Sequence, residues 1–171
     1  VILFALLSSA LKGQIFIDQS SEWGVDAIVE SHFFGSGIST FDFNYDGFDD
    51  ITLANDGQIF FYLNQDGNSF SLLDLGINIE NGSVKHVLSV DFDNDEDADI
   101  LISVYNGKTY LFENNGDLSF ENISVQSGLP QQVAPNYGMS CADYDKDGLL
   151  DIFLCRYELL TNPPDNPDTL P

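Results

Sequence analysis

Three nine-residue windows place acids at alternate positions: Asp42-Phe43-Asn44-Tyr45-Asp46-Gly47-Phe48-Asp49-Asp50, Asp91-Phe92-Asp93-Asn94-Asp95-Glu96-Asp97-Ala98-Asp99 and Asp143-Tyr144-Asp145-Lys146-Asp147-Gly148-Leu149-Leu150-Asp151. They hold four, six and four carboxylates, half of the chain's 28, so the acidity is concentrated rather than spread as a coat. Acids at this range repel one another unless a cation takes them as ligands. Calcium takes six to eight hard oxygens from a flexible turn. In an Asp-x-Asp-x-Asp-Gly-x-x-Asp loop, positions 1, 3, 5 and 9 supply side chains, position 7 a carbonyl, and Gly at position 6 the sharp turn. Loop one then offers Asp42, Asn44, Asp46, Asp50 and the Phe48 carbonyl. Loop two offers Asp91, Asp93, Asp95, Asp99 and the Asp97 carbonyl, and loop three Asp143, Asp145, Asp147, Asp151 and the Leu149 carbonyl. Asn44 costs loop one a charge, and Glu96 stands where its counterparts have Gly, so loop three keeps closest to the pattern.

Other chemistries fit less well. An EF-hand needs a bidentate Glu at position 12 and flanking helices; position 12 is Leu53, Ile102 and Leu154, each within an apolar run. No Cys/His cluster has the spacing of a zinc site, and magnesium demands stricter octahedral geometry. The plain alternative is a solvated acidic turn, but the motif recurs three times at one junction. About three structural calcium ions are expected. At tenfold excess over Kd each adds about 1.4 kcal/mol of stability.

The elements around the loops repeat as well. The loops begin 49 and 52 residues apart, and each runs directly into a short apolar segment: Ile51-Thr52-Leu53-Ala54, Ile100-Leu101-Ile102-Ser103-Val104 and Ile152-Phe153-Leu154-Cys155. Apolar on both faces, these are strands sandwiched between sheets. Turn signals follow at Asn55-Asp56-Gly57 and Asn106-Gly107, then aromatic strands with Phe60, Phe61 and Tyr62 or Tyr110 and Phe112. Second turns come at Asp66-Gly67 and Asn115-Gly116, and a fourth strand starts near Phe70 and Phe120. Four antiparallel strands in about 50 residues make a propeller blade. The expected fold is all-β: a β-propeller of four-stranded antiparallel blades, here an incomplete one of about three, over residues 14–160. Residues 16–25 resemble 120–129 and are expected to supply the outer strand of a further blade. Residues 161–171 form a Pro-rich irregular segment.

A formal net charge of −23 repels nucleic acid and anionic membranes. The 43% hydrophobic content is too high for a disordered acidic tail. Residues 1–10 read as the apolar part of an N-terminally clipped signal peptide, with Ser8 and Ala10 as a small-x-small cleavage pattern. No other segment suits a membrane span, so the expected location is secreted or at the cell surface. Cys141 and Cys155 flank loop three; a disulfide between them is allowed but not implied.

These residues resemble FG-GAP/VCBS repeats, the blades of integrin-α-type propellers. Phe34-Gly35-Ser36-Gly37 before loop one is similar to the element that names the repeat. The stretch 137–148 with Asp151-Ile152-Phe153-Leu154, and Asn114-Asn115-Gly116-Asp117 with Phe120, resemble the ASPIC/UnbV type related to cartilage acidic protein. His86 departs from that pattern, standing where Gly37 and Gly138 occur. The resemblance implies a calcium-stabilised, non-catalytic propeller in adhesion or recognition, with an extracellular protein or glycan as partner. No nucleophile elbow, His-Glu-x-x-His or phosphate loop is present, and His32 and His86 occupy unrelated places. The alternative is a propeller within a secreted polysaccharide-acting enzyme. Tyr105 and Tyr157 end their second strands and are candidates to stack on a sugar or protein.

Overall fold

A computed structural model describes residues 17–25, 37–55, 57–79 and 81–156. The expected signal segment, His32, Asp56, Tyr157 and residues 161–171 lie outside these. Strands β1 (Ile38–Phe41), β2 (Asp50–Asn55), β3 (Gln58–Asn64) and β4 (Phe70–Leu73) form one antiparallel sheet in chain order. Strands β5 (Ser83–Val90), β6 (Asp99–Gly107), β7 (Thr109–Asn114) and β8 (Phe120–Asn122) repeat that plan. Strands β9 (Ala134–Ala142) and β10 (Asp151–Arg156) begin a third unit. No helix occurs among the described residues.

Alternation along the second strand of each unit shows how the units stack. In β6, Ile100, Ile102 and Val104 share a core with Phe43, Ala54 and Phe61 of unit one. Leu101, from the other face, joins Leu111, Leu129 and Met139, with Ile152 and Leu154 packed alongside. Full burial of each such aliphatic is worth about 1.5–3 kcal/mol, which is why β6 is apolar without alternation. Phe153 occupies the place in β10 that Thr52 and Leu101 hold in β2 and β6; it is 47% exposed whereas they are fully buried.

Polar contacts cross the same seams. β6 pairs with the start of β9 through Tyr105 and Gly107. The buried Asn136 donates to the carbonyls of Val104 (3.3 Å) and Gly107 (3.1 Å) and accepts from Arg156 Nε (3.0 Å). Tyr105 packs its ring 5.3 Å from that of Tyr137. His86 does interrupt its strand: the register of β5 shifts between Val84 and His86. Its Nδ1 accepts the Met139 N–H at 2.9 Å, a packing role, and burial lowers its pKa. At Gly37 the next unit enforces glycine, since a Cβ there would come within 2.6 Å of the His86 Cα, whereas at Gly138 the nearest atom is the Cys155 Cβ at 3.9 Å.

The likeness of residues 16–25 to 120–129 extends to hydrogen bonding. Asp18 Oδ1 accepts from the N–H and hydroxyl of Ser20, as Asn122 Oδ1 does from Ser124. The described part of the earlier segment is a turn, however, not a strand, and its Trp23 carbonyl accepts the Phe70 N–H at 2.7 Å. The disulfide that the sequence allows is not made. Cys141 pairs with Ile152 and faces unit two, whereas Cys155 lies exposed at a bulge between Leu154 and Arg156.

Candidate metal sites

Each acidic window is the connection between the first and second strands of its unit, and all three share one backbone path. The fourth residue is left-handed in each: Tyr45 at φ 57°, Asn94 at 63° and Lys146 at 63°. The sixth is too, at 92° for Gly47, 77° for Glu96 and 90° for Gly148. Glycine adopts that conformation freely and glutamate does not, so loop two carries strain that its counterparts avoid.

The first aspartate is the hub of each turn. Asp42 Oδ2 accepts the Gly47 N–H at 2.8 Å and its Oδ1 that of Asp46 at 3.1 Å. Asp91 likewise accepts from Asp95 and Glu96, and Asp143 from Asp147 and Gly148. Position 5 holds the peptide of position 7: Asp46 accepts from Phe48, Asp95 from Asp97 and Asp147 from Leu149, at 2.9–3.0 Å. Carboxylate oxygens of Asp91, Asp93 and Asp99 lie within 4.8 Å of one another, as do those of Asp143, Asp145 and Asp151. Loop one has Asn44 at the third corner; its Oδ1 accepts the Asp46 N–H at 3.1 Å.

Position 9 fastens the loop to the sheet. Asp50 accepts from Phe43 N–H (2.9 Å) and Asn64 N–H (2.7 Å), and Asp99 from Phe92 N–H (2.9 Å) and Asn114 N–H (3.0 Å). Asp151 makes the matching bond to Tyr144 N–H. Asn64 and Asn114 escape a reading based on acids alone. Each also spans loop and second turn, its Nδ2 donating to the carbonyl of Asp49 or Ala98 and its Oδ1 accepting from Gly67 or Gly116. Their signal is the recurrence of Asn just before that turn.

The electrostatics favour a cation. Burial raises the pKa of Asp50 and Asp99 despite their hydrogen bonds. Asp93 is raised by burial and then by Asp95, with which it shares a side-chain hydrogen bond. Asp97 is pushed up to about 6 by burial first and then by Asp95, Asp99, Asp93 and Asp91. Asp97 as a residue is only 6% exposed, and its buried Oδ1 has no hydrogen-bond partner. Such groups gain most from a hard divalent ion: an all-oxygen donor set suits calcium, and thiolate or imidazole ligands are absent from the loops.

The class follows from this geometry. The family model for the FG-GAP-like repeat matches twice, over residues 42–102 and 91–154, each match running from one acidic loop to the strand after the next. The chain therefore belongs to the FG-GAP-like repeat family. Among individual proteins it is 26% identical over 160 residues to cartilage acidic protein 1 of Mus musculus and 27% identical over 168 residues to that of Homo sapiens. Each match covers 86% of this chain. The Xenopus tropicalis protein is 34% identical over a shorter stretch of 55 residues, 32% of this chain and 8% of its own length. The chain spans about a quarter of the mouse and human relatives, 24% of each.

Proposed function

We propose that this chain is part of an extracellular, non-catalytic β-propeller whose three acidic loops bind structural calcium and whose surface recognises a protein or glycan. The observation that carries the reading is the repeated geometry of the loops. In each, the ninth carboxylate bonds a backbone N–H back in the loop; in loops two and three it also belongs to a cluster of converging acids. A cation there ties the loop to the sheet and cancels the repulsion of the acids. The ligands are the side chains at positions 1, 3, 5 and 9 with the carbonyls of Phe48, Asp97 and Leu149. Stacked four-stranded units with apolar outer faces suit a ring of blades, and residues 1–10 supply export to a compartment where calcium is near millimolar. Among the described residues no helix is long and apolar enough to cross a membrane.

The test is thermal unfolding of the full-length protein in chelator and then across a calcium titration, with magnesium as control. A calcium-specific rise in Tm, reduced in Asp143→Ala and Asp147→Ala, is expected. No shift at several millimolar calcium would sink the metal reading.

A further inference from the structure

The fourth residue of one loop reaches the next loop. Tyr45 Oη donates to the carbonyl of Glu96, 51 residues on, and Asn94 Nδ2 donates to the carbonyl of Gly148 at 3.5 Å, 54 residues on. Donors and acceptors occupy matching places, position 4 of one loop and position 6 of its neighbour. The left-handed backbone at Tyr45 and Asn94 accompanies this reach across the seam.

The accepting peptides are already in use. The unit joining Glu96 to Asp97 offers its carbonyl to Tyr45 and its N–H to Asp95 Oδ1 at 3.0 Å. The unit joining Gly148 to Leu149 offers its carbonyl to Asn94 and its N–H to Asp147 Oδ1 at 2.9 Å. One peptide plane thus links a neighbour's side chain to a ligand of its own loop. The unpartnered, buried Asp97 oxygen lies beside this link.

We infer that adjacent loops bind their cations cooperatively, coupled through Tyr45 between loops one and two and through Asn94 between loops two and three. This rests on the calcium reading above. A cation in loop two fixes Asp95, hence the peptide plane, hence Tyr45 and the backbone between ligand positions 3 and 5 of loop one. Hydrogen bonds in series reinforce one another, and the coupling is reciprocal. Direct repulsion between cations acts the other way and is screened over about 8 Å at physiological salt.

The experiment is a calcium titration of the full-length protein, read by hydrogen exchange of separate peptides covering each loop. With Tyr45 intact, Asp95→Ala should raise the calcium midpoint of loop one about fivefold or more, the low end of ordinary coupling. In Tyr45→Phe the same change should move it less than twofold. Asn94→Gly, which keeps the left-handed backbone, should uncouple loop three from loop two. Equal shifts with and without the Tyr45 hydroxyl, or no shift in either, overturn the coupling and leave calcium binding standing. Absence of calcium-dependent protection at every loop overturns both.

Discussion

Replacing Asp99 by alanine separates the clamp from the cation. Asp99 is 2% exposed and accepts two backbone N–H groups, at 2.9 and 3.0 Å. Hydrogen bonds to a charged group are worth about 1.5–3 kcal/mol each, so about 3–6 kcal/mol is at stake. Burial raises the Asp99 pKa, which means the folded protein holds the ionised form at a cost that alanine removes. A net loss of about 2–4 kcal/mol is expected in chelator. Asp151 is exposed and makes one such bond, at 3.0 Å. Water replaces it readily, so Asp151→Ala should cost about 1 kcal/mol or less. With calcium at tenfold excess over Kd, each variant forgoes a further ~1.4 kcal/mol from its own loop. The difference between the two should therefore persist. Equilibrium urea unfolding of the full-length protein, with and without calcium, measures all four values. Equal losses for Asp99→Ala and Asp151→Ala in chelator would refute the clamp, since burial and the second bond would then count for nothing.

Two further outcomes are expected. Glu96→Gly removes a left-handed glutamate at φ 77° while keeping the carbonyl that Tyr45 uses; it should stabilise the protein by about 1 kcal/mol in urea, and a loss would show that the Glu96 side chain matters. Burial depresses the His86 pKa, and its Nδ1 must be unprotonated to accept from Met139. The folded state therefore binds fewer protons than the unfolded chain, and this stability is full above the ordinary histidine range and drains as pH falls through the depressed pKa. In saturating calcium, Tm should fall more between pH 7.5 and 5 for native protein than for His86→Gln; equal falls would refute it.

The strand plan was legible because loop, apolar run and Gly-containing turn recur together, and each feature has its own physical cause. In loops two and three the acids at positions 1, 3 and 9 converge, whereas position 5, read from the spacing as a fourth ligand, holds the peptide of position 7. Less visible was the left-handed fourth residue, because Tyr45, Asn94 and Lys146 share no property that forces that backbone; the turn imposes it. Pairing of β6 with β9 follows from the extension of β6 to Gly107, beyond the point where the Asn-Gly signal suggests a plain hairpin. The cysteines lie two residues before loop three and four after it, yet a bulge and opposite facing separate them. Burial, which distinguishes Asp50 and Asp99 from Asp151, depends on neighbouring units rather than on the motif.

Leu129 follows β8 and so belongs to unit two by chain order, but it is packed between the strands of units two and three. Leu75, Ile77 and Ile79 follow β4 in the same way and pack against the core between units one and two. Val25, the counterpart of Leu129, lies with Trp23, Ile51 and Phe70 around an apolar hollow. Each unit thus supplies the mortar for its own downstream joint. A repeat excised at its strand boundaries would strip its neighbour of a filler and carry a bare face of its own. A graft that leaves both joints intact must start after Ile79 and end with Leu129, so the natural module for duplication or transplantation is offset from the four-stranded sheet that the eye would cut out.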